Sequence, residues 1–211
     1  MEKPFLLHMI TSEKNTSPFD ANMAFDAGWD SIIPYTDVGM DEIQALVQDT
    51  IFSRSPSALK RTGIFIGGRD SHLAMDMIDE AKKHMVPPFE VPVFADPSGA
   101  FTTAAGMVAI TEKALKDKFS EDFSGKKVVI LGGTGPVGVA SAVISAKAGN
   151  EVLLVGRSLE KAENIAKICN EKYGSKSVIG AEDAEKANFL IDADVVFNTG
   201  AAGIQLMDDD L

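Results

Sequence analysis

Short apolar segments rich in β-branched residues alternate along the chain with longer segments whose apolar residues recur every three to four positions. The first pattern is typical of buried strands and the second of amphipathic helices, so we predict an α/β chain with mostly parallel sheet. The predicted strands are residues 5–10, 31–34, 62–66, 91–95, 128–131, 152–155 and 195–198. The predicted helices are residues 18–27, 41–50, 71–85, 102–117, 137–148 and 159–173.

A polar stretch, FSEDFSGKK at residues 119–127, interrupts this pattern and gives the best domain boundary. We therefore predict an N-terminal α/β substrate domain at residues 1–123 and a Rossmann-type, doubly wound parallel sheet at residues 124–211. Such a sheet usually has about six strands, and fewer are visible after the boundary. Because residues 207–211 read as the start of another helix, we expect the second domain to be truncated and the sequence to be a fragment.

Composition excludes several classes of protein. Of the 211 residues, 20 are Lys or Arg and 31 are Asp or Glu, so we expect no nucleic-acid partner. The single cysteine, Cys169, excludes an internal disulfide framework, and its apolar helix neighbours predict a place in the core. The three histidines share no spacing that predicts a metal site. Without a signal peptide or an apolar run of membrane-spanning length, the chain is expected to be cytoplasmic, with no membrane contact.

The strongest physical signal is a glycine-rich loop between the strand at 128–131 and the helix that follows. Gly133, Gly135 and Gly138 form G-x-G-x-x-G, in which the glycines allow a tight turn, close approach of pyrophosphate and close helix packing. The helix N-terminus supplies free N–H groups for phosphate. The predicted nucleotide-binding residues are Gly133, Thr134, Gly135, Pro136, Val137 and Gly138.

The next strand bears on which nucleotide is bound. A site for NAD usually has an acidic residue at the end of this strand, whereas this chain has Arg157 and Ser158 there, with Lys161 one turn on. A guanidinium and a hydroxyl suit the 2′-phosphate of NADP, so we favour NADP, with NAD still open and a solvated arginine as the alternative. Asn198, Thr199 and Gly200 follow the last strand and either border the nicotinamide or form a plain loop.

Five segments of the first half are polar or glycine-rich beyond what connections need. They are residues 17–20, 34–37, 52–54, 67–70 and 96–103. The longer stretches that contain or overlap them are SPFDANMAFDAG (17–28), IPYTDV (33–38), IFSRSP (51–56), TGIFIGG (62–68) and VPPFEVPVFADPSGAFTTAAGMVA (86–109). Together they resemble the methylene-tetrahydromethanopterin dehydrogenases of methylotrophic bacteria, in particular the NAD(P)-dependent form. The resemblance implies a longer protein, a homo-oligomer, and hydride transfer from methylene-tetrahydromethanopterin to NADP or NAD in one-carbon metabolism.

That reaction oxidises a methylene bridge between two nitrogens, and a carboxylate near the cleft would stabilise the developing cation. The resemblance points to Asp20 first, with Phe19 stacking on the pterin, and to Asp96 second. Each carboxylate has a structural alternative, since Asp20 also suits a helix N-terminus and Asp96 a loop.

Three more residues are candidates for binding the pterin. Thr102 and Thr103 would either hydrogen-bond the pterin or cap a helix, and Arg54 would either meet its acidic side chain or be solvated.

Two other functions remain open from the sequence. A shikimate- or amino-acid-dehydrogenase-like enzyme also joins a small α/β domain to a glycine-loop domain, but it needs a lysine–aspartate pair for which Lys60 is the only reasonable candidate. A non-catalytic nucleotide-binding module would bind coenzyme and turn over no substrate.

Overall fold

The computed structural model describes residues 3–207. The chain forms two compact units, divided between Gly99 and Ala100. The boundary predicted from the sequence lies later, at residue 123, because the polar segment follows the long helix whereas that helix packs in the second unit. The assignment of substrate and coenzyme binding to separate domains stays a prediction.

The first unit is built on a four-stranded parallel sheet with the strand order β2-β1-β3-β4. The strands are β1 (Leu6–Ile10), β2 (Ser31–Tyr35), β3 (Thr62–Ile66) and β4 (Val93–Ala95). The helices are α1 (Pro18–Asp26), α2 (Ile43–Phe52), α3 (Pro56–Leu59) and α4 (Ser71–Lys83). The chain leaves β1 toward one edge and returns to β3 on the other side, so a topological switch point lies between the carboxyl ends of β1 and β3.

Local sequence explains where the site-bearing helix α1 begins and how it packs. Ser17 caps the helix by accepting the amide N–H of Asp20, and Pro18, which needs no donor, takes the first position. Ala24 of the same helix is buried against Leu7 and Met9 of β1. The entry of α1 is therefore fixed beside the carboxyl end of β1.

The second unit contains another parallel sheet, with the strand order β7-β6-β5-β8. Its strands are β5 (Lys127–Leu131), β6 (Glu151–Gly156), β7 (Val178–Glu182) and β8 (Val195–Asn198). Its helices are α5 (Ala100–Ala114), α6 (Pro136–Lys147), α7 (Leu159–Lys172) and α8 (Lys186–Leu190). This order matches the first four strands of the Rossmann arrangement, with the switch point between β5 and β8. The predicted α/β class is confirmed.

The core of this second sheet is aliphatic. Val128, Ile130 and Leu154 have no exposed surface, and Cys169 of α7 is fully buried in the same cluster. Burial in this apolar setting raises the pKa of the Cys169 thiol to about 11. Cys169 is therefore a packing residue, as its helical position predicts.

Every predicted strand and helix is present, but one strand and several short elements were not predicted. The unpredicted strand is β7, whose backbone is held by the side-chain amide of Asn170: this amide donates to the carbonyl of Val178 at 2.8 Å and accepts its N–H at 3.2 Å. The predicted helix start at residues 207–211 falls mostly outside the described residues, with only Met207 described, in a bend. No helix within residues 3–207 is long and apolar enough to cross a membrane.

Candidate functional site

A cavity of about 380 Å³ lies at the switch point of the first unit. Its walls come from the loop after β1, the first turn of α1 and the loop after β3, which includes Gly67, Gly68 and Arg69. Ser98, in the turn after β4, completes the wall. Open parallel sheets bind ligands at this location because loops from both sides of the switch point diverge there.

Asp20 enters this cavity from the first turn of α1. Its side chain is only 8% exposed, and a Cβ at Gly67 would lie 3.2 Å from its Oδ2 atom, so the glycine leaves room for the carboxylate. Burial raises the pKa of Asp20 above its ordinary value, and the charge of Asp96 raises it further. Asp20 therefore binds a proton more readily than an exposed aspartate.

Asp96 follows β4 directly and is 9% exposed. Its amide donates to the carbonyl of Ile66 at 3.3 Å, which ties the turn after β4 to the end of β3. The charge of Asp96 raises the pKa of Asp20, so the two predicted carboxylates lie near enough to interact electrostatically. Like charges near one another favour a positively charged group beside them.

Apolar and charged groups line the cavity beside Asp20. Phe19 lies at the cavity wall with 63% of its surface exposed, and Phe65 contributes a second ring. Lys14 and Arg69 also line the cavity, together with Glu13, and neither cation forms an ion pair within residues 3–207. The sequence analysis did not propose Lys14 or Arg69 as binding residues, although Arg69 falls in the polar segment 67–70 and strand order places the loops after β1 and β3 side by side.

The other predicted pterin-binding residues lie elsewhere. The Arg54 guanidinium donates to the carbonyls of Pro4 and Arg61, each at 3.2 Å, and to the hydroxyl of Thr62 at 2.8 Å. Thr62 begins β3, so Arg54 is held at the amino end of the strands, whereas the cavity lies at their carboxyl ends. Thr102 and Thr103 are exposed in the first turn of α5, in the second unit.

In the second unit, two of the three motif glycines allow close contacts that a side chain would prevent. A Cβ at Gly133 would lie 2.9 Å from the carbonyl oxygen of Ile130, and one at Gly138 would lie 2.5 Å from the Cα of Gly133. A Cβ at Gly135 would meet only the carbonyl oxygen of Gly132, at 3.5 Å, and Gly135 caps the twelve-residue helix α6. The open backbone at Gly135 and the helix N-terminus fit a pyrophosphate group.

The flanking residues of this loop have defined partners. Ser158 caps α7 by accepting the N–H of Lys161 at 3.4 Å, and Arg157 and Lys161 are exposed beside it. The hydroxyl of Thr199 donates to the carbonyl of Leu131 at 2.9 Å.

The loop after β8 also lies against the glycine loop. The side-chain oxygen of Asn198 accepts the N–H of Gly200 at 3.1 Å. A Cβ at Gly132 would lie 2.9 Å from the nitrogen of Gly200. The structure therefore brings the loops after β5 and β8 together at the switch point of the second sheet.

Comparison with known proteins bears on the family and the fold. The family model described as methylene-tetrahydromethanopterin dehydrogenase, N-terminal, matches residues 18–98, which include Asp20 and Asp96. Quinate dehydrogenase from Corynebacterium glutamicum, solved in complex with NAD, has a similar fold with a TM-score of 0.53 at 15% identity, covering 98% of this chain and 76% of that one.

Two proteins from Methylorubrum extorquens are closer in sequence. The NAD(P)-dependent methylenetetrahydromethanopterin dehydrogenase is 47% identical over 207 residues, 96% of this chain and 69% of that protein. The bifunctional protein MdtA is 36% identical over 204 residues, with the same coverage of 96% and 69%. The resemblance identified from the sequence motifs is confirmed, and the chain belongs to the methylene-tetrahydromethanopterin dehydrogenase family.

Proposed function

We propose that this chain takes part in NAD(P)-dependent oxidation of methylene-tetrahydromethanopterin to the methenyl form. The observation that carries the proposal is the buried carboxylate of Asp20, which faces a cavity at the switch point and interacts electrostatically with Asp96, in a chain 47% identical to an enzyme of that name. A cavity with an acidic pair and aromatic walls suits a flat substrate that becomes positively charged as it reacts.

The substrate carbon lies between two nitrogens, whose lone pairs replace the electrons that leave with the hydride. The charge that develops is therefore positive and spread over both nitrogens and the carbon. Asp20 and Asp96, held in place by the cap of α1 and the turn after β4, stabilise that charge without moving. No proton has to leave the carbon, so these carboxylates act in their ionised form.

The glycine loop and the N-terminus of α6 would hold the pyrophosphate of the coenzyme, and Thr199 and Gly200 would border the nicotinamide. When bound, the nicotinamide ring supplies the hydride acceptor. Arg157 and Lys161, exposed where an NAD site would have an acid, would contact a 2′-phosphate, which supports a preference for NADP over NAD. We also expect a cytoplasmic homo-oligomer, as the family resemblance implies.

A shikimate-dehydrogenase-like reaction is less consistent with the first unit. That chemistry needs a lysine beside an aspartate for proton transfer, and the candidate Lys60 is exposed at the end of α3, near the amino end of β3. The cavity carboxylates lie at the carboxyl end of the sheet. The geometry therefore favours the pterin reaction.

The test is formation of reduced nicotinamide from methylene-tetrahydromethanopterin, followed by absorbance with NADP and NAD in parallel. It should use this chain and a version extended to the length of the Methylorubrum relative, each with R157Q as the coenzyme variant. We expect turnover that is faster with NADP, and a shift toward NAD in R157Q. Coenzyme binding without pterin turnover in either version would instead support a non-catalytic nucleotide-binding module.

A further inference from the structure

Ser98 has an unusual backbone conformation at the wall of the cavity. Its φ of 54° and ψ of 29° lie in the left-handed region, which glycine adopts freely and other residues adopt at a cost. Gly99, the next residue, has a φ of 66°. A glycine at position 98 would avoid the strain, so we looked for a stabilising contact that only the serine side chain makes.

The hydroxyl of Ser98 makes such a contact. It donates a hydrogen bond of 3.0 Å to the carbonyl oxygen of Gly68, thirty residues earlier, in the loop after β3. Gly68 itself has a φ of 126°, a conformation that side chains disfavour, and this orients its carbonyl. The hydrogen bond therefore joins two loops that contribute to the same cavity.

One of these loops carries Asp96, and the other packs against the carboxylate of Asp20, which α1 carries. The turn containing Ser98 begins at Asp96 and is closed by a hydrogen bond of 3.0 Å from the N–H of Gly99 to the Asp96 carbonyl. The other loop places Gly67 against Asp20. A change in the distance between the loops would change the distance between the two carboxylates.

We propose that Ser98 is a positioning residue: its hydrogen bond to Gly68 fixes the separation of Asp20 and Asp96. The inference rests on the proposed function for its kinetic consequence, but its structural part does not. Glycine at this position would allow the turn but could not make the hydrogen bond to Gly68. Serine makes this hydrogen bond at the cost of a strained backbone. Strained residues persist where the surrounding structure needs that geometry, commonly at functional sites.

The test compares S98G, S98N and the control S120G. S98G removes the hydroxyl while allowing the left-handed backbone. S98N restores a donor on a residue that tolerates this conformation. Ser120 is also left-handed, with a φ of 58°, but it is exposed at the end of the helical segment in the second unit. S120G therefore relieves the same strain away from the cavity.

One readout is the pH titration of Asp20, followed by the NMR shift of its carboxyl carbon. The charged groups around Asp20 are Asp96, which acts on it directly, and Glu13, Lys14 and Arg69, which share the cavity. In S98G we expect the Asp20 pKa to fall toward its ordinary value, because the turn after β4 keeps its link from Asp96 to Ile66 but loses its link to Gly68, which allows Asp96 to move away from Asp20. S98N should restore the wild-type titration in part, and S120G should leave it unchanged.

The second readout is steady-state kinetics with methylene-tetrahydromethanopterin. We expect kcat to fall about tenfold in S98G with a smaller change in KM, since misplaced groups cost more in the transition state than in substrate binding. A wild-type Asp20 titration together with an unchanged kcat in S98G would overturn the proposal. A shifted titration in a protein whose wild type does not oxidise the pterin would support the positioning role and reject the proposed function.

Discussion

Asp20 is ionisable, nearly buried, and close to a second carboxylate, an arrangement that disfavours its own charge. Burial is the larger cause of its raised pKa and the charge of Asp96 the smaller one. A group whose pKa is higher in the folded state stabilises the fold below its unfolded-state pKa, and this contribution is lost as pH rises through the folded-state pKa. At neutral pH the ionised Asp20 therefore lowers stability, which is consistent with a role in catalysis instead of folding.

We predict that D20N lowers kcat for the pterin by about 100-fold, the usual effect of removing one electrostatic group from an active site. The same variant should unfold at a higher temperature than wild type at neutral pH, and this difference should disappear in acid, where Asp20 is protonated. Kinetics and thermal melts over a pH series measure both effects. D26N, at an exposed position of α1, is the control; equal activity of D20N and D26N would contradict the prediction.

The wild-type enzyme should also lose activity as pH falls through the raised pKa of Asp20, because the neutral carboxyl no longer stabilises a cation. The acid limb of kcat/KM, which reports the free enzyme, should therefore lie above the ordinary aspartate pKa. A pH–rate profile in the presence of saturating NADP measures it. An acid limb at the ordinary aspartate value would show that another group limits the rate.

Two arginines offer a further contrast at the residue scale. Arg54 is bonded to backbone and hydroxyl oxygens at the amino end of the sheet, whereas Arg69 lines the cavity. We predict that R69Q raises KM for the pterin about tenfold, as expected from losing one charge-assisted contact, with little change in stability. R54Q should instead lower stability by about 2 kcal/mol and leave KM unchanged. The reverse outcome would assign the substrate contact to Arg54, as the sequence analysis expected.

At the scale of elements, a helix or strand could be predicted where its apolar pattern was regular or where capping residues marked its start. Helix α1 has a serine cap and a proline at its first position, and β5 is a run of fully buried aliphatic residues. Strand β7 lacks both signals, because Gly180 and Glu182 interrupt its apolar pattern and an amide from α7 does part of the pairing. Its existence depends on a long-range contact that local sequence does not encode.

The candidate site also has residues that the sequence predicts and residues that only the fold reveals. Asp20 and Asp96 were identified through motifs, but their proximity depends on strand order, which brings residues far apart in sequence to one edge of the sheet. Lys14 and Arg69 belong to no distinctive motif, and only the fold shows that they line the cavity. Arg54 has suitable chemistry but lies at the amino end of the strands, a placement that composition and spacing do not predict.

The glycine loop allows a prediction that separates folding from binding. A methyl group at Gly138 would meet the backbone of Gly133 at 2.5 Å, whereas one at Gly135 has space. We expect G138A to destabilise the second unit by about 3 kcal/mol through overpacking. G135A should keep its stability within about 0.5 kcal/mol and weaken NADP binding at least tenfold, because the methyl group occupies the phosphate approach. Urea unfolding and calorimetric titration measure these quantities; tight NADP binding by G135A would place the pyrophosphate elsewhere.

At the scale of the whole molecule, each compact unit has its own sheet and its own buried cluster. We therefore predict that a fragment beginning at Ala100 folds cooperatively and binds NADP with an affinity within about threefold of the full chain, a difference of roughly 0.6 kcal/mol. Circular dichroism and calorimetry test this. A fragment that remains unfolded would show that the second unit depends on the first.

The near contact between Gly132 and Gly200 has a consequence for how this family can vary. The loops after β5 and β8 occupy one small volume, so a side chain gained at position 132 would displace the backbone at Gly200. Changes in the two loops are therefore not independent: whether a substitution in one loop is tolerated depends on the sequence of the other loop. A library that randomises the loop after β5 alone should recover glycine at position 132 almost invariably, whereas joint randomisation of both loops should yield new pairs.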